Sequence, residues 1–320
     1  MGLLNKDGLK TAIQALKKKK NAVILAHYYQ EKDIQDVADY IGDSLGLAIE
    51  ASKTDADIIV FAGVHFMAET AKLLNPSRKV VLPDLEAGCS LADSCPPDQF
   101  KSFIDAHPDH KVVTYVNCTA EVKALSDIVC TSSNAVDIIN SFPLEQKIIF
   151  APDKNLGKYL QKETGRDLVL WEGACIVHEA FSFDKLLKLK LEYPEAKVVA
   201  HPESEPHILE VSDYVGSTSK MINYIKTSEA DTFIVGTEAG ILHELSRQAP
   251  GKNLIPLPIH EDNTCACSEC AFMKVNTLEK VYNCLLNESP EINIDPQIFD
   301  RAKAPIVKMI EFSKPVPVER

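Results

Sequence analysis

Short apolar runs recur along the chain, and turn-forming residues bound each of them. Amphipathic segments lie between the runs, for example at residues 65–75 and 154–165. Unbroken runs of β-branched residues are typical of parallel strands buried on both faces, and amphipathic segments between them are typical of crossover helices. The pattern therefore predicts an α/β protein. Its predicted strands are residues 22–26, 57–63, 79–83, 111–117, 147–152, 168–173, 197–203 and 232–238.

One series of features occurs three times in the same order. In each series a strand ends in polar residues, a second strand runs into a hydroxyl-bearing turn, and a third strand precedes a cysteine-bearing turn. Ser132 follows Ser44 by 88 residues, and Ser217 follows Ser132 by 85. Three matching series indicate internal duplication. The cysteine turns contain Cys89, then Cys175, then the group of Cys265, Cys267 and Cys270.

The repeat predicts three similar α/β domains with a helical segment at each end of the chain. The predicted boundaries are an N-terminal helix at residues 1–20, α/β repeats at 21–108, 109–194 and 195–290, and a C-terminal helical tail at 291–320.

The cysteine turns predict a shared metal site. In open parallel sheets, ligands bind beyond the carboxyl ends of the strands, where these motifs lie, so domains that face one another would bring the motifs to one cavity. Three thiolates from three loops fit either zinc or an iron–sulfur cluster. Structural zinc usually takes a fourth protein ligand, whereas a 4Fe-4S cluster held by three cysteines leaves one iron open as a Lewis acid. Three unrelated buried thiols are the alternative.

The hydroxyl turns predict an anion site. Ser44, Ser132 and the pair Ser217–Thr218 each lie where a strand is followed by a helix. A hydroxyl there caps the helix, and the free backbone N–H groups attract an anion. Three such turns on one cavity predict binding of carboxylates or a phosphate.

Polar residues at the strand ends are candidates for proton transfer, because histidine titrates near neutral pH and burial tunes glutamate and tyrosine. The candidates are His27, Tyr29, Tyr115, Asn117, His201 and Glu203. His178, three residues after Cys175, is predicted to orient the cysteine loop. The remaining histidines are predicted to be structural: His65, His107, His110, His207, His243 and His260.

The remaining cysteines, the net charge and the short apolar runs exclude several classes of protein. Nine cysteines in a chain of this kind do not make a disulfide framework. Cys118, Cys130 and Cys284 are predicted to be packed thiols, while Cys95 lies in a turn-like stretch.

A net charge of −12 argues against a nucleic-acid partner. No apolar run reaches the roughly 20 residues of a membrane span, and the N-terminus does not have the order of a signal peptide. We therefore expect a cytoplasmic protein without a membrane partner.

From about residue 15 to residue 312 the chain resembles the quinolinate synthetase A family, the 4Fe-4S enzymes of de novo NAD synthesis. The motifs that carry the resemblance are AHYYQ, IGDSL, GVHFMAE, YVN, CTSSNAV, PDKNLG, AHPE, VGST, GTEAG and MKVNTLE. The resemblance implies three homologous α/β domains with short parallel sheets in a pseudo-threefold arrangement around a central cluster. It also implies condensation of iminoaspartate with dihydroxyacetone phosphate to give quinolinate, phosphate and two waters.

The resemblance further implies residue roles. Cluster ligands fall on Cys89, Cys175 and Cys270, and the open iron would assist departure of a substrate oxygen as water. Tyr29, Glu203 and His201 are the implied catalytic residues. Substrate contacts fall on His27, Ser44, Tyr115, Asn117, Ser132, His201, Glu203 and Thr218.

Some alternatives stay open at this point. Spacing does not decide among Cys265, Cys267 and Cys270 as ligand, and Cys267 with Cys270 is a candidate redox disulfide that would withdraw a ligand. Rival functions are an iron–sulfur hydro-lyase acting on a hydroxy acid and a non-catalytic iron–sulfur or zinc protein. The implied supplier of iminoaspartate is an aspartate oxidase or dehydrogenase.

Overall fold

Three four-stranded parallel sheets form the framework of the computed structural model, which describes residues 5–260 and 268–313. The first sheet has the order β2–β1–β3–β4, the second β6–β5–β7–β8 and the third β10–β9–β11–β12. The fold class predicted from the sequence is confirmed. The strands are β1 Ala22–His27, β2 Tyr40–Gly42, β3 Ile58–Ala62, β4 Lys79–Val81, β5 Lys111–Tyr115, β6 Ile128–Cys130, β7 Ile148–Ala151, β8 Leu168–Leu170, β9 Lys197–Ala200, β10 Tyr214–Val215, β11 Thr232–Gly236 and β12 Asn253–Pro256.

The three sheets share one pairing register. The pairing starts at the first residue of β1, β5 and β9, where Ala22 pairs with Ile58, Lys111 with Ile148 and Lys197 with Phe233. Equal order and equal register support the internal duplication. The eight predicted strands and the three that precede the hydroxyl turns are present, but β12 was not predicted, because its two central apolar residues make too short a run.

Helices cover the sheets. Their bounds are α1 Lys6–Lys20, α2 Lys32–Gln35, α3 Ser44–Lys53, α4 His65–Leu74, α5 Ser90–Asp93, α6 Pro97–Asp105, α7 Ala120–Lys123, α8 Ala135–Asn140, α9 Lys154–Thr164, α10 Ile176–Glu179, α11 Phe183–Glu192, α12 Pro206–Glu210, α13 Thr218–Thr227, α14 Ile241–Gln248, α15 Ala271–Lys274, α16 Leu278–Asn287 and α17 Phe299–Phe312.

The crossover helix α9 illustrates how the sequence sets helix ends. The side chain of Asp153 accepts hydrogen bonds from the backbone N–H groups of Asn155 and Leu156, and so begins the helix. Gly165 ends it in the left-handed conformation, with φ of 67°, which glycine adopts without a steric penalty. These ends hold the helix against β7 and β8.

The hydrophobic core divides unequally among the three sheets. One continuous cluster joins side chains of the first and second sheets, and α17 contributes Ala302, Ile306, Met309 and Ile310 to it. The third sheet has separate clusters, to one of which Tyr28 adds a buried ring from the first domain. The first two domains therefore share one apolar core, whereas the apolar clusters of the third domain are separate from it.

The predicted domain boundaries stay a prediction. Within the predicted third repeat, α16 packs against α1 and β3 of the first domain. In the described part of the chain, no helix is long and apolar enough to cross a membrane.

We expect Ile306→Ala to lower the free energy of unfolding by about 2–5 kcal/mol, because Ile306 is fully buried in the shared core and its truncation leaves a cavity. Leu144→Ala is the control, since Leu144 is 87% exposed. Denaturant titration of both variants measures the difference. Equal midpoints would show that α17 does not stabilise the shared core.

Candidate active site

The carboxyl ends of the three sheets open into one cavity with about 740 Å³ of free space. All twelve residues that the sequence analysis assigned to the site line this cavity. They are His27, Tyr29, Ser44, Cys89, Tyr115, Asn117, Ser132, Cys175, His201, Glu203, Thr218 and Cys270. The structure thus brings the predicted residues together, and their individual roles stay predictions.

The sheet order separates the chemical groups within the cavity. In each sheet the strand before the hydroxyl turn and the strand before the cysteine turn form opposite edges. Three strand spacings of about 4.8 Å put these edges about 14 Å apart. Tyr29 and Glu203 follow the inner strands β1 and β9, and Tyr115 ends the inner strand β5, so the sheet order puts all three between the hydroxyl turns and the thiols.

The three cysteines occupy equivalent positions. Cys89, Cys175 and Cys270 each precede a four-residue helix, and each has the extended backbone of an N-cap. Burial raises the pKa of Cys89 to about 12 and also raises that of Cys175 and Cys270. Backbone N–H groups of the turn after each cysteine lower the thiol pKa, as those of Leu91 and Ala92 do at Cys89. The three cysteines are therefore half-buried, close to one another and placed at helix starts that favour thiolates.

This donor set fits a metal centre. Bringing three ionised thiols together in a buried cavity is unfavourable unless a cationic group neutralises them, and a metal centre supplies that charge. Three thiolates from three loops match an iron–sulfur cluster with one iron left open. Close packing fixes the second loop, because a Cβ on Gly173 would overlap the backbone oxygen of Pro152, so only glycine fits two residues before Cys175.

Glu203 lies at the centre of the polar groups. Its Oε1 accepts a hydrogen bond of 2.6 Å from the Tyr115 hydroxyl, and its Oε2 lies 3.1 Å from His178 Nδ1, away from ideal hydrogen-bond alignment. Burial opposes ionisation of Glu203, but His178, His201 and the Tyr115 hydroxyl outweigh it and hold the pKa at about 2. The carboxylate is therefore charged at neutral pH, while burial and this charge raise the pKa of Tyr115 well above its usual value.

A second chain of contacts reaches Tyr29. The Tyr29 hydroxyl lies 2.6 Å from Thr237 Oγ1, and Thr237 Oγ1 lies 3.0 Å from His178 Nε2. A continuous series of polar contacts thus runs from Tyr29 through Thr237 and His178 to Glu203 and Tyr115. The His178 side chain contacts Thr237 and Glu203 in this series, and its role in orienting the cysteine loop stays a prediction.

The hydroxyl turns require a correction. The sequence analysis predicted that serine or threonine hydroxyls cap the helices, but Asp43 caps α3 by accepting from Gly46 N, and Ser44 is the first helical residue. Near Ser132 the helix begins only after Asn134. Ser217 alone caps as predicted. The prediction was wrong for Ser44 because the preceding aspartate caps the helix, and for Ser132 because two further residues separate it from the start of the helix.

Comparison with known proteins decides the family. The family model described as "Quinolinate synthetase A protein" matches residues 11–311. The chain belongs to the quinolinate synthetase A family. Relatives named quinolinate synthase include those of Gloeothece citriformis, 59% identical over 95% of this chain and 94% of the relative, and Trichodesmium erythraeum, 59% identical over 96% and 94%. A third, from Synechocystis sp., is 59% identical over 94% of each chain.

Membership of the quinolinate synthetase A family makes this chain an enzyme. The non-catalytic alternative from the sequence analysis is therefore wrong. Cys270 lines the cavity, and the choice of ligand among the three late cysteines stays a prediction. Cys265 and Cys267 lie outside the described residues, so the Cys267–Cys270 disulfide stays a prediction.

Sequence reasoning missed Glu238 and Thr237 of the GTEAG motif, although both follow β11 as the predicted polar residues follow the other strands. Glu238 lines the cavity and accepts hydrogen bonds from the backbone N–H groups of Cys270 at 3.0 Å and Gly240 at 2.7 Å. Burial raises its pKa to about 7, and Lys274 lies 3.2 Å away. Glu238 therefore holds the backbone of the third cysteine turn.

The residues predicted to be structural lie elsewhere. Among the residues that the structure describes, none of the six histidines assigned to structural roles lines the cavity. Cys118, Cys130 and Cys284 are buried thiols, as predicted. Cys95 is also buried, packed with Phe100, so its turn-like sequence did not indicate a ligand position.

Two buried histidines make stability depend on pH. Burial lowers the pKa of His27 to about 4 and of His201 to about 3, against 6.5 for an exposed imidazole. The unfolded chain takes up these protons first, so stability is complete above pH 6.5 and falls as the pH drops towards 4. We expect each histidine to remove about 1 kcal/mol of unfolding free energy between pH 7.5 and pH 5.5.

Thermal unfolding of His27→Asn at pH 7.5, 6.5 and 5.5 measures this effect, and its pH dependence should be shallower than that of the parent protein. His207→Asn is the matched control, because the His207 side chain is 44% exposed. Parallel pH curves for His27→Asn and the parent would contradict the assignment of a neutral buried imidazole.

Proposed function

We propose that this enzyme is a quinolinate synthase of de novo NAD biosynthesis, which condenses iminoaspartate with dihydroxyacetone phosphate and releases quinolinate, phosphate and two waters. The relatives named quinolinate synthase, which cover almost the whole chain, support this activity. The observation that carries the proposal is the single cavity in which three thiols, a charged carboxylate with two tyrosines, and three hydroxyl turns meet. The overall reaction balances without an oxidant or reductant, so no redox partner is required.

Cys89, Cys175 and Cys270 would hold a 4Fe-4S cluster. When bound, such a cluster with three protein thiolates supplies an open iron that acts as a Lewis acid on a substrate oxygen. Its neighbours on this chain have separate tasks. Glu238 fixes the backbone at Cys270, and Gly173 allows the Cys175 loop to pack closely.

The anionic groups of the substrates would bind at the hydroxyl turns. Ser44 and Thr218 are the first residues of α3 and α13, where backbone N–H groups without helical partners favour an anion. Ser132 Oγ lies 3.1 Å from His201 Nε2, so His201 can present its ring towards the same anion. His27 and Asn117 complete the polar lining.

Proton transfer falls to the central residues. Eliminating water requires a base at carbon and an acid at the departing oxygen. Glu203 is charged at neutral pH and is suited to accept a proton, whereas Tyr29 and Tyr115 keep theirs and are suited to donate. His201 is neutral and orients the substrate beside Glu203.

The rival hydro-lyase would use the same open iron on a hydroxy acid, and the names of the relatives do not favour it. Incubation under anaerobic conditions with iminoaspartate and dihydroxyacetone phosphate, followed by chromatography for quinolinate, separates the two activities. Dehydration of hydroxy acids without quinolinate would overturn the proposal. Cytoplasmic location and coupling to an aspartate oxidase or dehydrogenase stay predictions.

We expect about four iron and four sulfide per chain after anaerobic purification. Cys89→Ala, Cys175→Ala and Cys270→Ala should each lose most of both, because each removes one ligand. Cys284→Ala is the control, since its thiol is buried away from the cavity. Full iron and sulfide content in Cys270→Ala would show that Cys265 or Cys267, and not Cys270, is the third ligand.

We expect Glu203→Gln to lower kcat by about 10²–10⁴-fold, since a neutral amide cannot accept the proton. Quinolinate formation by cluster-loaded protein measures this effect. Glu205→Gln is the matched control, because Glu205 is half-buried and does not line the cavity. A kcat for Glu203→Gln within about threefold of the parent value would exclude general base catalysis by Glu203.

A further inference from the structure

One carboxylate connects the hydroxyl turns of all three domains. Asp43 Oδ1 accepts a hydrogen bond of 2.8 Å from Gly46 N in its own domain. Asp43 Oδ2 accepts from Ser133 Oγ of the second domain at 3.1 Å and from Ser219 Oγ of the third at 2.6 Å. Asp43 is buried and lines the cavity.

Other contacts join the second and third turns directly. Ser133 Oγ lies 2.8 Å from Ser217 Oγ, and Lys220 Nζ donates to the backbone oxygen of Ser133 at 2.8 Å. The three turns thus form one network, in which the Asp43 side chain accepts hydrogen bonds from all three domains.

Each member of the network adjoins a proposed substrate contact. Asp43 precedes Ser44, Ser133 follows Ser132, and Thr218 lies between Ser217 and Ser219. A shift of any one of these turns moves a hydroxyl of the anion site. A carboxylate beside an anion site is electrostatically unfavourable, so its presence needs a compensating task.

We propose that Asp43 is a positioning residue that sets the three anion-binding turns relative to one another and thereby determines substrate affinity. The inference rests on the proposed function for its substrate. Asp43 also lines an outer groove with Tyr40 and Glu50, so its hydrogen bonds close the cavity wall at this point.

The repeats themselves suggest the variant for the test. Ser217 caps α13 from the position equivalent to Asp43, so Asp43→Ser keeps the helix cap and removes the acceptor for Ser133 and Ser219. Asp43→Asn keeps the size and the cap and replaces one acceptor atom by a donor. Glu50→Gln is the matched control, because Glu50 lies in the same outer groove without joining the network.

For cluster-loaded enzyme, we expect Asp43→Ser to raise the KM for dihydroxyacetone phosphate about tenfold or more, with kcat changed by less than about threefold. The KM of Asp43→Asn should lie between those of Asp43→Ser and the parent enzyme. The KM of the double variant Ser133→Ala/Ser219→Ala should equal that of Asp43→Ser. Iron content should be unchanged throughout. A lower kcat at unchanged KM, or an unchanged KM, would overturn the inference.

Hydrogen–deuterium exchange provides a readout that does not depend on the substrate. Asp43→Ser should increase exchange at residues 131–134 and 216–220, whereas Glu50→Gln should not. Unchanged exchange there would overturn the inference even if the enzyme makes quinolinate. A parent enzyme that makes no quinolinate, with exchange increased in Asp43→Ser, would instead refute the proposed function and leave the network intact.

Discussion

The common direction of parallel strands is the constraint on which the site depends. Within each sheet all four strands point the same way, so every strand delivers the residues after it to one edge. Three such edges face a single cavity, and the four-strand order then separates the hydroxyl turns, the proposed acid–base residues and the cysteine turns. The same arrangement brings the proposed anion-binding turns and the proposed cluster ligands to one cavity.

Burial of charge is the second determinant of the chemistry. A carboxylate removed from water is unstable by several kcal/mol unless partners satisfy it. Glu203 of the third domain finds its partners, Tyr115 and His178, in the second. His27 and His201 are also buried, and burial keeps both imidazoles neutral at neutral pH. The protonation states of these cavity residues therefore depend on how the domains pack together.

The domain interfaces differ in kind. The first and second domains share apolar side chains with α17, whereas the third joins them near the cavity through polar pairs such as Tyr29–Thr237 and Ser132–His201. Apolar burial holds the first pair of domains together without directional bonds. Hydrogen bonds are directional, so the polar interface sets the position of the third domain at the site.

The sequence by itself determined the α/β class, the threefold repeat and the strand-end residues, because buried parallel strands and duplicated motifs leave periodic local signals. It also placed Cys89, Cys175 and the group of Cys265, Cys267 and Cys270 at corresponding turns, whereas the choice of Cys270 came from the family resemblance. Local pattern did not reveal Thr237 or Glu238, nor the three-domain contacts of Asp43. Only the tertiary structure decided these, because hydrogen bonds between distant segments and the resulting pKa shifts depend on which domain surfaces face one another.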